Sequence, residues 1–194
     1  VASLRDDARR RGDDDELTKA LVKEVQIRIA LDGYETAVRF LKDQAWPKSP
    51  LSRATLNLVY AHALLTYEQA YAWEIGKRER VETKGAVDLK AWTKGQIHDE
   101  ALKAFHEVWT GRAELGDLPV TRLKGTLEPG SYPPGVRGTL RDAVTYLFTE
   151  FLADSSGWTP EQSNGLYQVP IGPLLSDGRK RDVAVGDAAV HPVV

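Results

Sequence analysis

The side chains in this chain that could do acid–base or metal chemistry are four histidines, His62, His98, His106 and His191, and a large set of carboxylates. His98 and His106 stand eight residues apart, which on an ideal helix leaves them roughly 80° out of alignment. Neither belongs to a His-Glu-x-x-His pattern, where two imidazoles share a helix face around zinc. His62 lies inside a long apolar run and is expected to be a half-buried, hydrogen-bonded residue rather than a ligand. The groups Asp13-Asp14-Asp15 and Asp99-Glu100 sit among other charges, the context of a helix start or a solvated face rather than of general acid–base work. No nucleophile elbow, phosphate-binding glycine loop or dinucleotide fingerprint occurs. Cysteine is absent, which removes disulfides, thiolate zinc sites and cysteine nucleophiles from this segment. No cofactor, metal or catalytic residue is therefore expected. The competing reading is an all-α hydrolase or lyase that uses carboxylates with His62 or His98 in a cleft.

The aromatic residues are more telling. Trp46, Tyr60, Tyr67, Tyr71, Trp73, Trp92, Trp109 and Trp158 fall near expected helix ends or on a second face of a long helix. Most should pack between helices. The five tryptophans Trp46, Trp73, Trp92, Trp109 and Trp158 are the candidates for lining a groove that takes a peptide or an adjoining domain.

The elements that must position these residues are helical. Between Leu51 and Arg80 there is no proline and, until Gly76, no glycine. That leaves room for a helix of roughly 25 residues. Leu56, Val59, Tyr60, Ala63, Tyr67, Ala70 and Tyr71 form one apolar face, and Leu58, Ala61, Leu65, Ala72 and Trp73 form another. A helix apolar on two faces is covered on both. Ser49 can cap it with Pro50 in the first position, and Lys77, Arg78 and Arg80 suit the negative end of its dipole.

Upstream, residues 1–12 are a charge-dense lead-in, frayed or briefly helical. Asp13 and Glu16 have capping-box spacing ahead of Leu17, Leu21, Val25 and Ile29. After the turn Asp32-Gly33, Tyr34 to Leu41 carries a shorter helix as far as Trp46-Pro47. The run Gly33–Val38 resembles the opening of the second helix of a tetratricopeptide repeat; an ordinary helical hairpin reads the same way. Downstream, Val81–Val87 is a connection and Asp88 can cap a helix from Leu89 to about Leu115. Pro119 opens a short helical piece to about Leu127, and Glu128–Gly135 is a surface loop. Val136, Leu140, Ala143, Val144, Leu147, Phe148, Phe151 and Leu152 form an amphipathic stripe. Thr159 and Gln162 frame a last short helix that begins at Pro160 and is limited by Gly165. Leu166–Val169 could hold a brief strand within an irregular tail, residues 166–194.

The expected fold is all-α: antiparallel helical hairpins in tetratricopeptide-like stacking over residues 13–165, with that irregular tail as linker. The expected core includes Leu21, Val25, Leu56, Tyr60, Ala63, Leu64, Tyr67, Phe105, Val144, Leu147, Phe148 and Phe151. A net charge of −2 recruits neither nucleic acid nor an anionic membrane. The triplet Arg179-Lys180-Arg181 is too short for a nucleic-acid footprint. No apolar run approaches a membrane span; the residues given include no signal peptide, and one could already have been removed from a chain that opens on Val1. Val1 in place of methionine and the apolar close His191–Val194 read as the edges of a longer protein.

Four runs carry a family resemblance: GYETAVRFLKDQAWP at Gly33–Pro47, ALLTYEQAYAWEI at Ala63–Ile75, KGAVDLKAW at Lys84–Trp92 and TLRDAVTYLFTEFLADSSGWTPEQSN at Thr139–Asn164. They resemble the helical region that precedes the first macroglobulin domain in large bacterial alpha-2-macroglobulin-like proteins. The resemblance spans about Gly33 to Asn164 and contains no catalytic signature. It implies an exported or envelope protein from a family of protease-trapping inhibitors. Their working parts are a bait segment and, in many members, a Cys-Gly-Glu-Gln thioester. No cysteine is present to form one, and Pro160-Glu161-Gln162 shares only the Glu-Gln pair, so no functional residue carries over. The implied role is a non-catalytic accessory module whose partner is an adjoining macroglobulin-like domain or an envelope protein. The implied location is the periplasm, the envelope or the exterior. The alternative is a free-standing cytoplasmic adaptor of the same fold.

Overall fold

A computed structural model of the chain describes residues 1–79, 88–127, 132–133, 135–158, 160–165 and 167. The charge-dense opening forms a regular helix, α1 (Ala2–Arg11), which buries Ala8 completely. Gly12 ends it at φ 65°, a left-handed conformation that glycine adopts without the Cβ clash other residues suffer. Charge holds α1 in place. Arg5 Nη1 lies 2.9 Å from Glu24 Oε2, and Arg28 Nη2 takes the other carboxylate oxygen at 2.8 Å. Both guanidinium groups lie over the Phe40 ring, at 5.5 and 4.5 Å from its centre.

Local capping chemistry then sets the helix starts. Asp13 accepts the Glu16 N–H at 3.0 Å and opens α2 (Asp14–Ala30). The turn after it places Asp32 at φ 57°, and Gly33 N–H donates to the Arg28 carbonyl at 2.8 Å. α3 (Tyr34–Asp43) buries Ala37, Val38 and Leu41. Ser49 caps α4 (Pro50–Ala70) by accepting the Ser52 N–H at 3.2 Å, with Pro50 at the first position. One oxygen of Asp14 accepts the N–H groups of Ser49 and Lys48, at 2.9 and 3.2 Å. The starts of α2 and α4 therefore lie side by side and the two helices run parallel, with α3 returning between them.

The central helix is shorter than its composition suggests. It ends at Ala70, Tyr71 leaves helical geometry at ψ 22°, and a separate turn, α5 (Ala72–Ile75), follows. The Tyr71 ring meets Tyr34 edge-on at 6.3 Å and Tyr67 at 5.3 Å, so a tertiary contact overrides a strong local tendency to continue. Ala72 and Trp73 consequently fall outside the buried face, and Trp73 is 75% exposed. Arg78 turns back instead of decorating a helix end: it donates to the Tyr67 hydroxyl at 3.2 Å and the Trp92 carbonyl at 3.1 Å.

The helix expected over 89–115 is three pieces. Asp88 caps only a 3-10 turn, Leu89–Ala91. α6 (Lys94–Thr110) begins at Thr93, which exchanges reciprocal capping bonds with Gln96. α7 (Arg112–Leu115) follows Gly111. Along α4 and α6 the contacts run in opposite order: Glu68 lies near Lys94 and His98, Tyr60 bonds Glu100, and Leu58 shares an apolar crevice with Val108. The fold is all-α, with α2/α3 and α4/α6 stacked as antiparallel hairpins in the tetratricopeptide manner, and no strand occurs among the described residues.

The short helical piece after Pro119 reaches only Leu123. Backbone bonds from Val120 N–H to Gly138 and from Leu140 N–H to Leu118, both 2.9 Å, tie it to the start of α8 (Leu140–Ala153). The amphipathic stripe does not begin at Val136, which is 51% exposed. Arg137 takes φ 58°, and Asp142 accepts the Thr139 N–H and hydroxyl at 3.0 and 2.8 Å, which sets the start of the helix. Leu147 and Phe151 are half-exposed and outside the core. The other ten expected core residues are buried. The chain divides into two compact units, Val1–Phe148 and Thr149–Val194. In the second, a 3-10 turn, Ser155–Gly157, precedes α9 (Pro160–Gly165). Residues 80–87, 128–131, 134, 159, 166 and 168–194 lie outside the described residues, and with them Arg80, most of the loop expected over 128–135, the brief strand expected over 166–169 except Tyr167, the 179–181 triplet and His191.

Two measurements check this packing. Phe148 stacks on Phe105 with ring centres 5.8 Å apart and also meets Trp109 at 5.8 Å. Phe148→Ala is expected to cost about 3–5 kcal/mol in urea unfolding, whereas Leu31→Ala at an exposed site stays within about 0.5 kcal/mol. The Thr139 hydroxyl, then its N–H, holds the Asp142 carboxyl below the usual carboxylate range. That stabilisation is complete above the unfolded value of about 3.9 and disappears as pH falls through the lower folded value. Asp142→Asn should therefore lose less urea stability than the parent chain between pH 6 and strongly acidic pH.

Candidate functional site

The tryptophans proposed as groove anchors rest on different elements and serve packing as much as surface. Trp46 is half-buried; its indole N–H donates to the Leu41 carbonyl at 2.8 Å and its ring meets Tyr60 edge-on at 6.1 Å. Trp92 lies under Lys42, whose ammonium is 4.3 Å from the ring centre. Trp109 lies against Phe148 and under the Arg112 guanidinium, 4.0 Å away. Trp73 is exposed beneath Lys77 at 3.2 Å. Trp158, in the second unit, donates to the Leu152 carbonyl at 3.3 Å.

The histidines also separate. His62 and His106 are exposed, so the half-buried placement expected of His62 is corrected: it occupies a solvent-facing position on α4. His98 is mostly buried, with Nε2 3.8 Å from Glu68 Oε2. Glu68 is 8% exposed and also faces Lys94 Nζ at 3.5 Å, a polar contact that pins the end of α4 to the start of α6. Among the described residues no three His, Asp or Glu side chains are grouped to hold a metal.

A groove of about 730 Å³ lies elsewhere. One wall is the α2 face carrying Asp15, Lys19, Val22, Lys23 and Gln26; another is the first two turns of α4 with Leu51, Ser52 and Thr55; the third is the segment 121–126. Gln26 donates to the Gly125 carbonyl at 2.9 Å and holds that segment against α2. The hydroxyls of Thr18 and Thr55 donate to the carbonyls of Asp14 and Leu51 at 2.7 and 2.8 Å. With their hydrogens engaged, these hydroxyls present acceptor lone pairs to the groove. Lys19 is bonded to Glu16 at 2.7 Å, and that carboxylate raises its pKa above the usual lysine range. None of the described histidines lines the groove.

The sequence reading did not find this site. Its signal is the i,i+4 pair Lys19 and Lys23 on a helix whose buried face is elsewhere, and its other wall lies about a hundred residues away, where only folding can join the two. No family model, curated protein or solved structure matches the chain.

The Trp46–Tyr60–Glu100 contact is testable by pH. Burial, then the Glu100 charge and its 3.3 Å hydrogen bond, push the Tyr60 phenol above the usual tyrosine range. The folded state thus favours the neutral phenol, and its contribution is complete below about pH 10 and lost as pH rises through the folded value. Tyr60→Phe should flatten the alkaline fall in urea stability above pH 10.

Proposed function

We propose that the chain is a non-catalytic helical interaction module, and that it serves as the accessory helical part of a bacterial alpha-2-macroglobulin-like protease inhibitor in the cell envelope. The observation that carries the interaction reading is the open groove shared by the first helices of two stacked hairpins, α2 and α4. Stacked helical hairpins bind proteins along such grooves because successive helices present a rigid, continuous wall. The groove's lining offers cations, hydroxyls and a few apolar carbons, a set suited to holding a partner rather than to moving protons. The macroglobulin setting is supported by the four sequence runs between Gly33 and Asn164. A cytoplasmic adaptor is the second reading, favoured by the fact that all three walls come from residues 15–126 of this one chain.

Lysine crosslinking in intact cells, followed by mass spectrometry, separates these readings. Crosslinks from Lys23 and Lys124 to a macroglobulin-like domain or an envelope protein are expected. Crosslinks to cytosolic proteins alone would replace the inhibitor setting with the adaptor, and an absence of protein crosslinks would remove the interaction reading.

A further inference from the structure

We propose that the groove between α2, the start of α4 and the 121–126 segment binds an acidic, extended segment of a partner protein. The proposal rests on the interaction reading above and assigns its site and ligand chemistry.

Its basis is where unanswered positive charge collects. Elsewhere in the first unit many cations are engaged: Arg5 and Arg28 share Glu24, Arg39 takes Glu35 and Asp88, and Arg141 takes Asp117. Lys77 and Arg112 lie over indole rings. Lys23, Arg122 and Lys124 have no carboxylate partner among the described residues, and all three line the groove. Asp15 is the only acid among the described residues of its lining. A groove with this excess stands out in a chain whose net charge is −2.

The remaining chemistry selects the type of anion. Thr18, Ser52 and Thr55 at the base are 7%, 2% and 5% exposed. The Ser52 hydroxyl already accepts from Ser49 at 2.7 Å, whereas the Thr18 and Thr55 hydroxyls, which donate to carbonyls, keep acceptor lone pairs that match the N–H groups of an extended main chain. Lysine and arginine at the rim match carboxylates projecting from that chain. No aromatic side chain among the described residues lines the groove. Stacking of nucleic-acid bases, which needs such a platform, therefore has no support there, and proline-rich ligands lack the aromatic walls they dock against.

The test uses the full chain and fluorescence anisotropy with a labelled peptide of alternating Glu and Ser. A Gln/Ser peptide of the same length and a short oligouridylate serve as comparison probes. The Glu/Ser peptide should bind at low salt and weaken as salt is raised, with the Gln/Ser peptide at least about tenfold weaker. Combined K23E, R122E and K124E, all at exposed positions, should abolish binding with the helical circular dichroism unchanged. K103E, on α6 away from the groove lining, should leave it intact. Equal binding of both peptides, indifference to the triple substitution, or tighter binding of oligouridylate would each overturn the proposal. If crosslinking finds protein partners while the Glu/Ser peptide does not bind, the groove chemistry alone fails. If both experiments come back empty, the interaction reading fails with it.

Discussion

The structure depends on the burial of α4 from more than one side. Leu56, Ala61, Ala63 and Leu64 are at most 1% exposed, and Leu58, Tyr60 and Tyr67 at most 6%. These residues do not form a single stripe, so no one neighbour could shield them. α2 and α3 cover one side and α6 another. Each covering helix must then satisfy its own remaining face: α1 does this for α2, and Phe148 packs on Phe105 and Trp109 of α6. The hairpin stack follows from the need to bury one helix that is apolar around much of its circumference.

Apolar burial is non-directional, so polar contacts set the register. Asp14 joins the starts of α2 and α4 through two backbone N–H groups. Glu68, nearly buried, faces Lys94 and His98 at the other end of the α4/α6 pair. Glu24 holds α1 through Arg5, and the two arginines it pairs with, Arg5 and Arg28, meet α3 by lying over the Phe40 ring. A half-buried ion pair contributes little net stability once desolvation is counted, but an unpaired one is costly, so slipped arrangements are disfavoured. The parallel alignment of α2 and α4 that Asp14 enforces is also what places their exposed faces on one groove.

Much of the secondary structure was legible because its determinants are local. Asp13 with Glu16 and Ser49 with Pro50 act within one turn of the helices they start, and the two apolar faces of α4 announce its central place. Elements defined by distant contacts were misread. α4 stops at Ala70 because the Tyr71 ring meets Tyr34 on another helix. Thr93 and Gln96 carry a legible capping box, but Asp88 upstream offers a rival start of the same chemical kind. Val136 fits the α8 stripe by spacing, yet backbone pairing with 116–120 leaves it outside the helix.

By itself the sequence determined the all-α class, the central helix, most of its core and the lack of thiol chemistry, since composition, periodicity and capping are properties of adjacent residues. Tertiary structure alone decided that charged α1 is a packed helix, that the tryptophans are dispersed among separate contacts, and that the groove exists. The groove's cations come from α2 and from a connector about a hundred residues later, and neither segment carries a mark of the other. Whether a lysine finds a carboxylate is decided by which surfaces the folded chain brings within a few ångströms. That proximity is absent from the linear order of residues.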